Sequence, residues 1–459
     1  MITCILSGHA FVNEVQVMSQ VFFPNEKFDF STVQPSALGF TVLSQAEKAG
    51  THAYIFKDGV QISHYFKEFN SHKFLNERKT IMLAIFHALS QVVGAHTPWG
   101  SLTGIRPSKL VREWLSLDTT DDEIISTLIN PFCCSEEKAR LAVAVAHAEL
   151  RVEKKISGTL GLYVSVPFCP TRCVYCSFNT SHKPVDVDFL ARYVNALELE
   201  LREMQGSVSS IYIGGGTPTF LPENLLERLL YSVCENFNNA IEFTVEAGRP
   251  ETLTADKLRL LAKYGVTRLA INPQTLNDKT LAAIGRGHTA EQFFAAFRLA
   301  RATGDFCINT DLIAGLPHET ADDMRRNMEA LAQLAPENIT VHTLAVKRAS
   351  RLNEEIRQGA AYGNENTENM LSVAAEYCGS MGLLPYYLYR QKNMVGLFEN
   401  VGYARPQYEC LYNVGMMAEV QTILGVGAGA VSKFVEGGKI TREFNAKNPE
   451  IYIERCGEK

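Results

Sequence analysis

Cys169, Cys173 and Cys176 stand in the stretch YVSVPFCPTRCVYCSF with three and then two residues between them. Thiolates at that spacing on one short segment can hold a metal centre, because a deprotonated sulfur is a strong ligand for soft and borderline metals. A closed structural zinc site takes four ligands, and this segment supplies three cysteines. Two chemistries stay open. In one, His182 completes a zinc site. In the other, three thiolates hold a [4Fe–4S] cluster and leave one iron to a ligand from outside the chain. Pro167, Pro170 and Arg172 mark the segment as an exposed loop rather than core.

Other polar residues stand at the ends of apolar runs. YIGGGTPTFL closes one such run with three glycines, which let backbone groups approach a ligand closely. Glu246 in FTVEAGRPETL, Gln274 in INPQTLND, Arg286 in IGRGH and Asp311 in TDLIAGLP follow on successive runs. Each alone reads as readily as a cap or a surface residue. Together they predict a ring of polar groups at one mouth of a barrel, as a cofactor pocket requires.

The elements that must position them are legible as a rhythm. From Gly161 the β-rich runs LYVSV, SIYIGG, EFTVEA, RLAINP, INTDLIAG and ITVHTLAV alternate with helical patterns. In DFLARYVNALELELREM, for example, Leu190, Tyr193, Val194, Leu197 and Leu201 share one face. Six such alternations predict parallel βαβ units, in an open sheet or a barrel, with the site at the C-terminal strand ends. Residues 1–155 read as an α+β accessory domain. AYIFKDGVQISHYF has a hairpin signal at Asp58-Gly59. TIMLAIFHALSQVVG predicts a helix with Met82, Ile85, Phe86, Leu89, Val92 and Val93 on one face, ending at Gly94. Two further helices follow, the later opening at Ser135 with Glu136 and Glu137 in its first turn. Residues 156–380 form the α/β core, and 381–459 a shorter, less regular extension rich in Tyr and Gly.

Bulk properties exclude several classes. A net charge of −6 over 459 residues gives no basic field for nucleic acid. No apolar run approaches the ~18 residues of a membrane span. The start, MITCILSGHAFVNE, lacks the basic region and long apolar run of a signal peptide. Eleven cysteines, an odd number in a long chain, suit thiolate ligation in a reducing cytoplasm better than a disulfide framework.

Cys-x3-Cys-x2-Cys directly after the first strand of such a core resembles the radical SAM superfamily. The resemblance implies that the open iron is chelated by the amino and carboxylate groups of S-adenosylmethionine, whose sulfonium is then split to a 5′-deoxyadenosyl radical. The fold it implies is a partial (β/α)6 TIM-like barrel with an N-terminal α+β accessory domain and a short C-terminal extension. LYVSVPFC, GGGTPTFL, RLAINPQTLND and DLIAGLP narrow the likeness to oxygen-independent coproporphyrinogen III oxidase-like proteins. PWGSLTGIRPSKLV, QKNMVGLFENVGYARP and YNVGMMAEVQTILGVGAGAVSK resemble its HemZ-type coproporphyrinogen dehydrogenase branch. By position, Tyr163 and Tyr175 would flank the cluster and cofactor, and Gly215, Gly216 and Thr217 would hold the methionine end. Glu246, Gln274, Arg286 and Asp311 would bind the amino, carboxylate and ribose groups, and Ala345 would pack near the adenine or a second cofactor molecule. The implied reaction is hydrogen abstraction from a propionate β-carbon with loss of CO2 to leave a vinyl group. A tetrapyrrole substrate and a reduced flavodoxin or ferredoxin-like electron donor are the implied partners.

For four propionates the cations of AVKRASRL, YYLYRQK and YARPQY are the candidates: Arg348, Arg390, Lys392 and Arg405, with Arg390 foremost, beside Tyr faces that suit a flat macrocycle. The same residues read equally as a solvated basic edge. The chain departs from related patterns at three places. Phe178 stands where the oxidase branch has a fourth cysteine, and Ser165 where it has a histidine. YRQKNMVGLFEN lacks the histidine and tryptophan of the heme chaperones, and the tail leaves little room for a C-terminal helical lid. Two rivals therefore stand beside the decarboxylase: a heme-binding or heme-delivery protein, and a radical enzyme that modifies heme itself.

Overall fold

The computed structural model describes residues 1–24, 26–30, 34–94, 97–104, 106–176, 185–345, 366–390 and 398–457. They fall into two compact units, Met1–Val143 and Ala144–Lys459.

In the first unit, β1 (Ile2–Ser7) lies between β2 (Phe28–Asp29) and β3 (Phe40–Ala46), parallel to both. β4 (Gly50–Lys57) and β5 (Val60–Glu68) continue the sheet antiparallel. The β4–β5 hairpin turns through Asp58 and Gly59 at φ 52° and 77°, the left-handed pair a two-residue hairpin loop demands. Helices α1 (Val12–Phe22) and α2 (Glu77–Val93) pack Met18, Phe22, Ile81, Ile85 and Leu89 into one cluster with Cys4, Val42 and Ile55 of the sheet. Gly94 ends α2 in the left-handed conformation. The buried face of α2 is centred differently from the sequence reading: Ile81, Ala84 and Ala88 are fully buried, and Met82, Val92 and Val93 pack at its margin. Beyond it come α3 (Pro107–Leu115) and α4 (Asp121–Ile129), two short helices where the sequence suggested one. Pro107 in the first turn of α3 and the Thr120 cap on the Glu123 N–H set separate starts. α5 (Glu136–Ile156) runs on into the second unit.

The second unit carries six strands that lie side by side in chain order, all parallel. They are β6 (Leu160–Val166), β7 (Val208–Gly215), β8 (Glu242–Glu246), β9 (Arg268–Ala270), β10 (Cys307–Ala314) and β11 (Asn338–Thr343). Between them run α6 (Val187–Glu203), α7 (Glu223–Asn236), α8 (Ala255–Lys263), α9 (Asp278–Ala283), α10 (Ala290–Thr303) and α11 (Ala321–Leu334). The face of α6 legible in the sequence is the one it buries. This is the partial (β/α)6 barrel that the resemblance implies, one of the two arrangements the alternation left open.

After α12 (Thr367–Ser380), the tail is more regular than its composition suggested. β12 (Leu384–Tyr389) and β13 (Asn400–Ala404) extend the sheet antiparallel beyond β11. After α13 (Leu411–Ala418), β14 (Ile423–Val426) adds a seventh parallel strand beside β6. β15 (Val431–Glu436) and β16 (Lys439–Phe444) finish that edge antiparallel, and α14 (Pro449–Gly457) packs on α6. The reason is general: an unclosed parallel sheet leaves unpaired N–H and C=O groups along both edges, and strands of the tail pair with them. Among the described residues no helix is long and apolar enough to cross a membrane.

At the N-terminal ends of the parallel strands, Arg268 of β9 and Glu242 of β8 are both buried, 3.3 Å apart. Arg268 also donates to Asn338 Oδ1 at the start of β11 and to the Tyr408 carbonyl (2.8 Å). Glu242 accepts the first backbone N–H groups of α13, from Leu411 (2.9 Å) and Tyr412 (3.1 Å), where the helix dipole favours an anion. One ion pair thus ties the tail to three core strands. Arg268→Met would leave Glu242 buried without its cation, which costs ~3–5 kcal/mol. The urea midpoint of this unit should fall accordingly; a loss below about 1 kcal/mol would show that the pair is not what secures the tail.

Candidate functional site

A cavity of about 680 Å³ opens at the C-terminal ends of the parallel strands, within the second unit. Strand alternation fills its wall. On β10, Asn309, Asp311 and Ile313 line it, while Ile308 and Leu312 are buried on the other face. On neighbouring β6 and β7, Tyr163 and Tyr212 are register partners, and both face the cavity.

The cysteine loop follows β6. Cys169, Cys173 and Cys176 are free thiols, and all three line the cavity. The glycine turn after β7 is stitched to this loop: the Gly216 N–H donates to the Val166 carbonyl (3.0 Å) and the Thr217 N–H to that of Phe168 (2.7 Å). A side chain on Gly216 would sit 2.6 Å from the Phe168 carbonyl oxygen, and one on Gly214 2.8 Å from the Glu246 carboxyl carbon. These glycines are therefore required for close approach, to the loop in one case and to the acid in the other. From the far side the Val174 N–H donates to the Ile284 carbonyl (3.0 Å). Thr217 Oγ1 lies 3.4 Å from Cys169 Sγ. Burial pushes the Cys169 thiol up to about 11, with the Thr217 hydroxyl and the Arg249 charge pulling it back.

Among the described residues no three His, Cys, Asp or Glu side chains gather tightly enough to hold one metal ion. A four-iron cube makes a different demand, with one thiolate for each of three corner irons. Three thiols facing one space, beside a backbone turn that cannot carry side chains, fit that group. His182 lies outside the described residues.

The polar residues of the successive runs meet in the same cavity: Glu246, Gln274, Arg286 and Asp311, together with Tyr175 and Ala345. Glu246 ends β8 and accepts the Tyr212 hydroxyl at 2.6 Å. Burial raises its carboxyl to about 7, with the charge of Asp311 adding to the effect and the Tyr212 hydrogen bond opposing it. Asp311 accepts from Asn309 Nδ2 (2.7 Å) and lies 3.7 Å from His342 Nε2. Gln274 is held at φ 70° by two backbone bonds, its N–H donating to the Asp311 carbonyl and its carbonyl accepting from the Ile313 N–H (2.9 Å each), and its Oε1 is buried without a hydrogen-bond partner. A buried acceptor left open in a cavity is a place for a ligand donor. Arg286 donates to the carbonyls of Gly248 (2.9 Å) and Asn272 (2.6 Å), so it braces the turns after β8 and β9 as well as facing the cavity.

The remaining wall is aromatic. Tyr163, Tyr212 and Tyr412 stack, the last two at 4.4 Å between centroids, and Tyr387 stacks with Tyr389 at 6.3 Å. Met416 and Val431 adjoin them. The sequence reading missed Tyr212, Arg249, Asn272, His342 and Tyr412. Period-two alternation back from Gly214 and forward along β11 could have found Tyr212 and His342; Tyr412 depends on the fold of the tail.

Two of the proposed propionate-binding cations are not among the residues lining the cavity. Arg405 follows β13, whose Ala404 pairs with Asn338 at the start of β11, so an antiparallel strand has carried it to the end opposite the cavity. Arg390 lies one residue beyond β12, only 9% exposed, and is not among the residues lining the cavity; Tyr387 and Tyr389 are. Arg348 and Lys392 fall outside the described residues, as does Phe178. Ser165, in the place of a histidine, donates to the Ala428 carbonyl at 2.8 Å.

Comparison with known proteins follows the same lines. Residues 163–331 match the Radical SAM superfamily. An oxygen-independent coproporphyrinogen-III oxidase-like protein, HemZ of Bacillus subtilis (strain 168), is 37% identical over 397 residues, 83% of this chain and 79% of that protein. Heme chaperone HemW of the same organism is 31% identical over 310 residues, 65% of this chain and 76% of its own. Among solved structures, coproporphyrinogen III oxidase (HemN) from Escherichia coli superposes with a TM-score of 0.54 at 24% identity, covering 70% of this chain and 73% of that one.

Glu246 supplies a test of this geometry. With its carboxyl raised from 4.5 to about 7, the folded protein holds a proton that the unfolded chain releases. The resulting stability is full below about 4.5 and is lost as pH rises through about 7. Glu246→Gln should therefore gain on the unmodified protein between about pH 5 and about pH 8, by at most about 3 kcal/mol at ~1.4 kcal/mol per unit. Thermal melts at both values check this, and parallel pH profiles would contradict it.

Proposed function

Because this chain belongs to the radical SAM superfamily, in the oxygen-independent coproporphyrinogen-III oxidase-like family of HemZ type, we propose that it oxidatively decarboxylates a propionate-bearing tetrapyrrole. Coproporphyrinogen III, converted to protoporphyrinogen IX without oxygen, is the substrate the reading favours. Members of the superfamily use a [4Fe–4S] cluster and S-adenosylmethionine, which when bound supply a carbon radical able to abstract hydrogen. The cellular setting of the proposal is a reducing cytoplasm with a small reduced flavodoxin or ferredoxin-like donor.

The observation that carries the reading is the two-sided cavity. On one side Cys169, Cys173 and Cys176 would hold the cluster. Glu246 and Asp311 would accept hydrogen bonds from the amino and ribose groups of the cofactor, and Gln274 Oε1 would take a further donor. On the other side Tyr387, Tyr389, Tyr412 and Met416 form an apolar, aromatic wall suited to a flat macrocycle. The chain's residues thereby hold substrate and radical source in one water-poor space, where orientation does much of the work of catalysis. The described cations at this cavity, Arg172, Arg249 and Arg286, sit with the cysteine loop and its bracing turns. Among the described residues, a propionate clamp on the aromatic side would therefore fall to His342.

A second reading is heme binding, as the name heme chaperone says of the HemW relatives. His342 favours it, since an imidazole facing an aromatic cavity is an ordinary iron ligand. Anaerobic incubation of the reconstituted protein with reductant, S-adenosylmethionine and coproporphyrinogen III separates the two. With an added one-electron acceptor, mass spectrometry should show CO2 and one hydrogen atom lost at each of two propionates, the hydrogen carried off in 5′-deoxyadenosine and the remaining electron taken by the acceptor. An unchanged tetrapyrrole, with tight heme binding abolished by His342→Ala, would replace the first reading by the second.

In the same preparation, Glu246→Ala and Asp311→Ala should keep the cluster and lose affinity for S-adenosylmethionine. A charge-assisted hydrogen bond of ~1.5–3 kcal/mol corresponds to roughly 10- to 150-fold. Equilibrium binding checks this, and unchanged affinity in both variants would leave the carboxylates only a structural part.

A further inference from the structure

Behind the cysteine loop lies a buried charged group that the proposed reaction does not use. Arg249, 2% exposed, comes from the turn after β8, and its Nη2 donates to both the carbonyl oxygen and Oγ1 of Thr171, each at 2.6 Å. Thr171 sits between Cys169 and Cys173, and its own hydroxyl donates to the Gly285 carbonyl at 3.0 Å. Glu251 Oε1 lies 3.7 Å from Arg249 Nη1, and Glu251 Oε2 lies 3.4 Å from Nδ1 of the fully buried His288 side chain. Arg249 lines the cavity with the cysteines, while Glu251 and His288 do not. Its Nη1 has no hydrogen-bond partner. The cation therefore shares the cavity wall with the thiols, and its anion lies outside that wall.

We propose that Arg249 is a positioning residue for the cysteine loop, and that its charge, opposed by the nearby carboxylate of Glu251, favours the reduced form of the cluster held by Cys169, Cys173 and Cys176. The inference rests on the cluster reading of those cysteines. A cluster on three thiolates gains one negative charge on reduction, so a nearby buried cation stabilises the reduced state more than the oxidised one. Removing the cation should make reduction harder, and removing the nearby anion should make reduction easier.

The test is an EPR-monitored redox titration, without S-adenosylmethionine, of the unmodified protein and of Arg249→Gln, Arg249→Lys and Glu251→Gln. Each is reconstituted anaerobically and its iron counted. Arg249→Gln with full iron should shift the reduction equilibrium about tenfold towards the oxidised cluster, a midpoint about 59 mV lower for one electron. Arg249→Lys should lie nearer the unmodified value, and Glu251→Gln should lie above it. A full-iron Arg249→Gln protein with an unchanged midpoint overturns the proposal. If that variant takes up no iron, Glu251→Gln decides: a raised midpoint supports the proposal and an unchanged one overturns it. An unmodified protein that binds no iron overturns the cluster reading itself, and the iron count alone identifies that outcome.

Discussion

A parallel sheet that does not close must have its edges paired by strands from elsewhere, and in this protein one buried ion pair fastens the tail that supplies them to the base of the sheet. Arg268 and Glu242 sit at the starts of adjacent strands. Through them the first N–H groups of α13 are tied to β8, and the segment ahead of that helix is tied to β9 and β11. Neither charge could be buried alone at reasonable cost. Their pairing sets the helix that carries Tyr412 and Met416, and so sets one wall of the cavity at the opposite end of the same strands. The division of labour is the one expected of a barrel: stability at the N-terminal ends, chemistry at the C-terminal ends.

At the chemical end the cavity is divided by character. The half near the cysteines is polar and tightly braced. Gly216 and Thr217 hold the loop from one side, Ile284 and Gly285 from the other, and Arg249 from beneath. The other half is made of tyrosines and methionine, several of them from the tail. A reactive carbon species survives only where its partner is already in place and water is not, and such a pocket suits that demand. The tyrosines of the wall are held where their rings stack on one another, which limits their freedom before any substrate arrives.

Much of this is legible in the sequence, and what is not has a common cause. The three cysteines are readable because their meaning lies in local spacing. Glu246 and Asp311 are readable because polar residues in β-rich runs already demand partners. Arg249 stands three residues beyond Glu246 in the same quoted motif, but its part depends on contact with Thr171, 78 residues away. Arg405 was misplaced because nothing local reveals that β13 runs antiparallel, which takes the residue after it to the wrong end of the barrel. The tail looked irregular because its strands are short and borrow their partners, β6 and β11, from far up the chain. Short runs that only complete the edges of another sheet carry little periodicity of their own.

The central claim is that three thiolates, and no fourth side chain, hold a four-iron cluster with one corner open to S-adenosylmethionine. EPR spectroscopy of the anaerobically reconstituted, dithionite-reduced protein, with and without S-adenosylmethionine, tests it most directly. The account predicts a reduced [4Fe–4S] signal that changes shape on adding the cofactor and is absent from a Cys173→Ala variant. A cluster that survives loss of Cys173, or a signal indifferent to the cofactor, would contradict it.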